Sequence, residues 1–184
     1  GNTANQYGCL TSYYQSGNYS GCFQLLGGHI YGNLSGAASQ RGNPGTGAAG
    51  TMHGMAKDGS SPFVIGGSAV IEDEIWDRSS NGYVVLRDDF TGSVSLHAVY
   101  GSAVGDLAAK SVAADGTPSA ATAEIAGRVA LTNPDYGPDG NYQYDEEGNI
   151  IRAFSLFVDP DVEDQYILGE YVAPAMKYTV TYTD

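Results

Sequence analysis

The sequence predicts an all-β fold, an antiparallel β-sandwich formed by one domain over residues 1–184. Two observations on composition and one on spacing support this prediction. The chain has 26 glycines and 14 tyrosines but only 8 lysines and arginines together, which disfavours helices and favours strands joined by glycine turns. Strand-like segments also recur at intervals of about ten residues without a convincing long helix between them, as is typical of sandwiches.

Residues 1–60 form a glycine-rich N-terminal segment with one clear strand candidate, which runs from Phe23 to Tyr31. Residues 36–61 are mostly small or polar and cannot bury enough surface to order themselves. Cys9 and Cys22 lie inside this segment without the close spacing or the basic neighbours of reactive thiols. We therefore predict a structural disulfide between them, which would contribute about 3 kcal/mol by closing the loop.

Residues 61–184 carry the main strands of the predicted sandwich. In Ser93–Tyr100, Val94 and Leu96 alternate with serines, and this period of two places one face on a core. Ala121–Leu131 shows a similar alternation, and its Gly127 favours a strand over a helix. The predicted strands are Phe63–Ile75, Tyr83–Arg87, Ser93–Tyr100, Ala103–Val112, Ala121–Leu131, Ile150–Val158, Tyr166–Val172 and Met176–Thr183.

Glycine turns separate these strands. Ser80-Asn81-Gly82 and Ala114–Pro118 stand between apolar runs, and their Asn-Gly and Asp-Gly pairs tolerate the positive φ of hairpin turns. Short strands with such turns predict a sandwich of the immunoglobulin-like or jelly-roll type.

The last predicted strand has a marked pattern of its own. In Met176-Lys177-Tyr178-Thr179-Val180-Thr181-Tyr182, apolar and polar residues alternate along the whole strand. The strand resembles the closing strand of bacterial fimbrial subunits, which are secreted immunoglobulin-like β-sandwiches that polymerise by exchanging a strand. The resemblance implies a secreted subunit that joins copies of itself. The chain departs from that family at Gly1–Gly8, which lack the alternating apolar set of a donor strand.

Two N-glycosylation acceptors, Asn18 in Asn-Tyr-Ser and Asn33 in Asn-Leu-Ser, stand near the cysteine pair. Together they predict an extracellular or cell-surface protein. The net charge of -13 argues against nucleic acid and against an anionic membrane surface as partners. The longest apolar run, Phe63–Ile71, is too short for a membrane span and is interrupted by glycines.

Most of the negative charge lies between Asn133 and Asp164, where nine acidic residues stand against one arginine. Carboxylates on turns are ligands that Ca²⁺ prefers. The spacing from Asp139 to Asp145 imitates the start of an EF-hand loop, but Tyr144 and Ile150 replace the glycine and glutamate that such a loop needs. We therefore predict that these residues form a solvated acidic face, with a looser calcium site as the alternative. Its candidate ligands are Asp135, Asp139, Asp145, Asp159 and Asp161.

No pattern of residues specifies a reaction. Gly45–Gly50 matches a dinucleotide-binding fingerprint but lacks the preceding strand and the following helix that would aim its amides at a pyrophosphate. His29, His53 and His97 have no zinc-ligand spacing, and no Gly-x-Ser-x-Gly motif is present. The sequence thus predicts a protein that is not an enzyme and requires no cofactor.

The leading functional prediction is a secreted structural subunit that assembles with copies of itself into a filament, coat or layer, with calcium as a candidate stabilising ion. The low lysine content weakens the usual protection of edge strands against pairing with other chains. The alternative is a calcium-dependent carbohydrate-binding or adhesin module that stacks glycans on Trp76, Tyr142 and Tyr144. A viral decoration or tail protein is the third possibility.

Overall fold

The computed structural model describes residues 3–4, 10–13, 23–31, 34–35, 55–58, 63–77, 83–97, 103–131 and 143–173. Strands dominate these residues, and the one helix among them is α1 (Ala123–Ala126). The strands are β1 (Thr3–Ala4), β2 (Leu10–Tyr13), β3 (Phe23–Leu25), β4 (His29–Ile30), β5 (Leu34–Ser35), β6 (Met55–Asp58), β7 (Phe63–Ile65), β8 (Val70–Asp77), β9 (Val84–Arg87), β10 (Ser93–His97), β11 (Leu107–Val112), β12 (Val129–Leu131), β13 (Phe154–Val158) and β14 (Gln165–Glu170).

Two six-stranded sheets contain all of these strands except β1 and β5, which pair with each other in parallel. Sheet I has the order β12-β10-β8-β6-β2, and β4 also pairs with β8. Every pair in sheet I is parallel. Sheet II has the order β13-β14-β11-β9-β7-β3. Its pairs are parallel except those that β14 makes with β11 and with β13.

The prediction of an antiparallel sandwich is therefore wrong in its strand directions. From β6 to β12, each strand lies in the sheet opposite to that of the strand before it and pairs in parallel with the strand two places further along. Parallel neighbours are thus connected through a strand of the other sheet rather than through a crossover helix. From β6 to β12 the chain therefore forms a coil of the β-solenoid type, in which each turn contributes one strand to each sheet.

The core lies between the two sheets and is formed by rows of inward side chains. Paired residues of successive turns stand above one another, although the register of β8 with β10 shifts between Val94 and Leu96. One hydrophobic cluster contains buried residues from both sheets. The rows are Ile71–Val94–Val129 and Ile75–Leu96–Leu131 in sheet I, and Ile65–Leu86–Ser111 in sheet II.

Glycines allow the corners of successive turns to nest against one another. A Cβ on Gly67, whose φ is 54°, would collide with the carbonyl of Leu26, and a Cβ on Gly92 would collide with the carbonyl of Ala69. Backbone hydrogen bonds continue through these corners, since Ser93 N donates to Ala69 O at 3.1 Å. The corners therefore pack backbone against backbone, which only glycine permits.

The predicted strand Phe63–Ile75 is two strands, β7 and β8, which lie in opposite sheets. Residues 66–69 form the corner between them. An apolar run interrupted by a glycine pair fits one long strand as well as two short ones, so the pattern alone did not reveal the bend. Tyr83–Arg87 is confirmed as β9 apart from its first residue.

The predicted strand Ala121–Leu131 is also wrong in its first half. Thr122 Oγ1 accepts a hydrogen bond from Ile125 N at 3.2 Å and begins α1, and Gly127 ends it. An N-cap threonine satisfies an amide that a helix start leaves without a partner. The remainder, Val129–Leu131, is β12 as predicted.

The predicted turn at Ala114–Pro118 is confirmed. Gly116 has a φ of 85°, and Asp115 Oδ1 accepts a hydrogen bond from Thr117 N at 3.0 Å. Ala113 N donates to Thr117 O at 2.8 Å and closes the turn. The predicted turn at Ser80–Gly82 and the predicted strand Met176–Thr183 lie outside the described residues.

Candidate functional site

An apolar groove lies at one end of the coil. β12 is the terminal strand of sheet I and β13 is the terminal strand of sheet II, and both β12 and α1 contact β13. The groove between them has a volume of about 730 Å³. Its lining is mostly apolar and comes from Ala123, Ala126, Gly127, Val129, Ala130, Leu131, Arg152, Phe154, Ser155, Leu156, Phe157, Val158, Tyr171 and Val172.

β13 contributes to the groove from both of its faces. Leu156 is buried in the core, and Phe154 and Val158 pack against that core. Phe157 lies on the opposite face and is 41% exposed. Its ring occupies the space that a Cβ on Gly169 of β14 would need. The glycine therefore allows an exposed phenylalanine to lie flat against the outer surface of sheet II.

Among the described strands, β13 leaves one of its two backbone edges unpaired. Leu156 stands opposite Leu168 of β14, but Leu168 N donates to Asp106 O at 2.9 Å and Leu168 O accepts from Gly105 N at 2.7 Å. Opposite residues in an antiparallel pair exchange both hydrogen bonds or neither. The N–H and C=O of Leu156 therefore point away from β14. Within the described residues, no strand pairs with that side of β13.

The chain returns to the groove after β14. Val172 N donates a hydrogen bond to Ser155 Oγ at 3.0 Å, which holds the segment after β14 beside β13. Tyr171 and Val172 line the groove and are 42% and 62% exposed. An exposed apolar rim therefore surrounds the open edge of β13.

Hydrogen bonds fix α1 beside the groove. The hydroxyl of Tyr166, whose side chain is fully buried, accepts a hydrogen bond from Thr122 N at 3.1 Å. Arg128 Nη1 donates to Thr91 O at 2.8 Å, and Arg128 Nη2 pairs with Glu124 at 2.8 Å. The first bond joins the start of α1 to β14 of sheet II, and the second joins the residues after α1 to the corner between β9 and β10.

Among the proposed calcium ligands, Asp145 belongs to a tight turn. Its Oδ1 accepts hydrogen bonds from Asn149 N at 2.7 Å and Glu147 N at 3.1 Å, and its Oδ2 accepts one from Asn149 Nδ2 at 3.1 Å. The backbone N–H and then the side-chain amide of Asn149 lower the pKa of Asp145, because both donate to its charged form. Both oxygens of this carboxylate therefore accept hydrogen bonds from residues of the same turn.

Asp159 has a similar role in the turn between β13 and β14. Its Oδ1 accepts hydrogen bonds from Asp161 N at 2.8 Å and Val162 N at 3.3 Å. In the part of the chain that the structure describes, no three acidic, histidine or cysteine side chains form a group that could hold a metal ion. Asp135 and Asp139 lie outside that part. The calcium site therefore stays a prediction.

The other predicted site residues are not brought together in the described residues. Tyr144 is 58% exposed and forms an isolated bridge with Ile150, whereas the backbone of Trp76 pairs with Ala56 and His97 inside sheet I. The remaining candidates lie outside the described residues: Cys9, Cys22, Asn18, Asn33 and Tyr142. The disulfide, the glycosylation sites and the glycan platform stay predictions.

The groove residues were missed by sequence reasoning. Phe154–Val158 reads Phe-Ser-Leu-Phe-Val, a strand without a charged residue or a proline. Natural edge strands normally carry such residues to prevent pairing with other chains. Their absence from this strand was the available signal, but the sequence does not show which strands lie at an edge.

Comparisons with known proteins assign no function to the groove. No protein-family model, no curated protein and no solved structure matches the chain. Over the residues that the structure describes, no helix has both the length and the apolar character that a membrane crossing requires.

Proposed function

We propose that this chain is an extracellular structural subunit that assembles with copies of itself into a filament, coat or layer through the groove end of the coil. The observation that carries the proposal is the uncharged edge of β13, which no described strand covers and which lies beside an apolar groove. An exposed edge can accept a strand from another chain through main-chain hydrogen bonds. The groove adds apolar surface that such a contact would bury.

The coil supports growth in one dimension. Each turn of a solenoid contacts only its neighbouring turns, so a strand added at the end continues the existing ladder. β13 has no lysine or proline to prevent this addition. The exposed Phe157, Tyr171 and Val172 supply apolar contacts around the same edge. The extracellular location rests on Cys9 and Cys22 with the acceptors at Asn18 and Asn33.

Light scattering on the purified full chain over a range of concentrations tests the proposal. The particle mass should rise with concentration, and electron microscopy should show a polymer. Phe157→Lys should suppress this rise because it places a charge on the exposed rim of the groove. Tyr144→Lys is the matched control, since Tyr144 is exposed but does not line the groove. A parent chain that stays monomeric at every concentration contradicts the proposal.

The same measurement separates the calcium prediction from assembly. A rise in particle mass on adding calcium would support metal-linked assembly, whereas a shift in melting temperature alone would indicate a structural ion. If neither quantity responds, the acidic residues are a solvated surface and the assembly proposal is unaffected.

A further inference from the structure

We propose that the groove end of the coil binds the groove end of a second copy about a two-fold axis, with the two β13 strands paired antiparallel and Leu156 opposite Leu156 of the second copy. This inference rests on the proposed function and deepens it, because it names the surface that each copy presents to the other. An isologous contact of this kind closes at two copies. The dimer is therefore the unit from which a larger assembly grows, through a second contact elsewhere on the chain.

The backbone of β13 is the first argument. The N–H and C=O of Leu156 point away from β14, and alternate residues of a strand direct these groups to the same side. Phe154 and Val158 therefore present theirs to the same edge, which no described strand occupies. Antiparallel pairing centred on Leu156 places Phe154 opposite Val158 of the second copy. Every opposite pair along this edge then exchanges both of its N–H···O bonds.

The side chains on the two faces of β13 suit the same pairing. On the inner face, Phe154 stands opposite Val158 of the second copy, an aromatic and β-branched pair of the kind that stabilises antiparallel strands. On the outer face, Phe157 is 41% exposed and stands diagonally opposite Phe157 of the second copy, within reach of its ring. β13 contains no charged residue, so no like charges meet along the strands.

Charges beyond the two ends of β13 favour the antiparallel direction. Arg152 precedes the strand, and Asp159 and Asp161 follow it. Pairing centred on Leu156 places Arg152 opposite Pro160 of the second copy, between the two aspartates. The two-fold axis repeats this contact, so the dimer contains it twice. Attraction between these opposite charges offsets part of the repulsion between two chains that each carry a net charge of -13.

A head-to-tail contact would instead join β13 to β3, the terminal described strand at the other end of sheet II. β3 and β13 run in the same direction, because β3, β7, β9 and β11 are parallel and two antiparallel pairings separate β11 from β13. Copies stacked in one orientation would therefore pair them in parallel along the three residues of β3. Parallel pairing is less stable per residue, whereas the two-fold contact uses all five residues of β13.

Charge reversal in the full chain, measured by sedimentation equilibrium, tests the contact. Arg152→Glu and Asp161→Arg should each weaken dimerisation by about tenfold or more, because each variant brings like charges together twice in the dimer. The double variant restores opposite charges across the contact and should dimerise within about twofold of the parent. The two positions lie beyond opposite ends of the five-residue strand β13, at least about 17 Å apart. An ion pair within one copy therefore cannot explain the restoration.

Glu146→Arg is the matched control for Asp161→Arg, since it makes the same change in net charge at an exposed position that does not line the groove. Both variants reduce the general repulsion between copies. The control should therefore dimerise at least as well as the parent, whereas Asp161→Arg should dimerise less well. Equal dimerisation of these two variants, or a double variant no better than the single ones, would overturn the two-fold contact.

Amide hydrogen exchange followed by NMR locates the contact. Leu156 N–H reports the outer edge, and Phe157 N–H reports the ladder with β14, because adjacent residues of a strand direct their amides to opposite sides. In the parent chain, exchange of Leu156 N–H should slow by about tenfold or more between a monomeric and a dimeric concentration. Exchange of Phe157 N–H should change by less than about twofold.

Two results of the exchange experiment would overturn the proposal. Fast exchange of Leu156 N–H at both concentrations would show that nothing pairs with the outer edge. Protection that does not depend on concentration would show that a segment of the same chain covers it.

Light scattering separates failure of this contact from failure of the proposed function. If the parent polymerises but the double variant is not restored, the proposed function is supported and the two-fold contact is wrong. If the parent stops at a dimer that responds to the variants as expected, the contact is supported and assembly into a filament, coat or layer fails. A parent chain that stays monomeric at every concentration contradicts both.

Discussion

The hydroxyl of Tyr166 accepts a hydrogen bond from the backbone N–H of Thr122 at 3.1 Å. Tyr166 belongs to β14 in sheet II, whereas Thr122 is the N-cap of α1, which leads into β12 of sheet I. This one bond therefore connects the antiparallel end of sheet II to the last turn of the coil. The Tyr166 side chain is fully buried, whereas Thr122 is exposed, so the bond is part-buried.

Replacing Tyr166 with phenylalanine tests the strength of this connection. The change keeps the buried ring but removes the acceptor for Thr122 N–H, and we expect the free energy of unfolding to fall by about 1 kcal/mol. Urea denaturation measures the change. Tyr144→Phe, at an exposed position, should alter stability by less than about 0.5 kcal/mol. Equal effects of the two changes would show that the hydrogen bond does not contribute.

Replacing Gly92 with alanine tests the nesting of the corners. The added Cβ would collide with the carbonyl of Ala69, and backbone cannot move aside as a flexible side chain can. We expect a loss of about 3 kcal/mol in the free energy of unfolding. Gly127→Ala is the control, because its φ is -66° and its nearest contact would be 3.4 Å. A Gly92 variant as stable as the Gly127 variant would contradict the close packing of the corners.

A double-mutant cycle at Ser111 and Ser119 tests the buried polar pair. Ser111 is fully buried at the end of an otherwise apolar row, and its Oγ lies 3.0 Å from Ser119 Oγ. Each single change to alanine should cost about 1 kcal/mol, because it leaves the other hydroxyl without that partner. The double variant should lose less than the sum. Additive losses in thermal or urea denaturation would show that the two hydroxyls are not coupled.

The pKa of Asp145 should depend on Asn149. Hydrogen bonds from Asn149 lower this pKa in the folded chain, so the resulting stabilisation is fully present above the unfolded value of about 3.9 and is lost as pH falls through the lowered folded value. NMR titration should place the folded pKa below the ordinary aspartate range. Asn149→Ala should raise it partly, because the backbone donor remains.

Asp115 provides the internal control for this titration. The side-chain and backbone donors of Thr117 lower its pKa in a separate turn, so Asn149→Ala should leave that pKa unchanged. A pKa of Asp145 that does not respond to Asn149→Ala would show that the side-chain amide makes no contribution.

The sequence predicted strand positions better than strand directions. The alternation of Val94 and Leu96 with serines correctly indicated a strand with one buried face. The same alternation occurs whether a neighbouring strand runs parallel or antiparallel, because it reports only which face is buried. The chain also lacks a repeat of fixed length that would indicate a coil: Val64 pairs with Val85, 21 positions further along, whereas Val94 pairs with Val129, 35 positions further along. A fixed period is the usual sequence signature of repeat folds, so the coil could not be predicted in that way.

The groove could not be predicted because it depends on which strands end the sheets. β13 follows β11 by more than forty positions in the chain but is separated from it in sheet II only by β14. No local pattern around Leu156 encodes that placement. The reversal that brings β14 against β11 depends on tertiary packing. The turn at Asp115 and Gly116, by contrast, is determined by local backbone chemistry and was predicted correctly.

The register of the parallel rows has a mechanical consequence. In both sheets the interstrand hydrogen bonds run along the axis of the coil, across strands that lie roughly perpendicular to it. A pulling force along that axis would load the bonds of one turn at a time. The coil should therefore extend in successive small ruptures rather than unfold in a single step. The first rupture should occur at the end of the coil whose core is less covered by other residues.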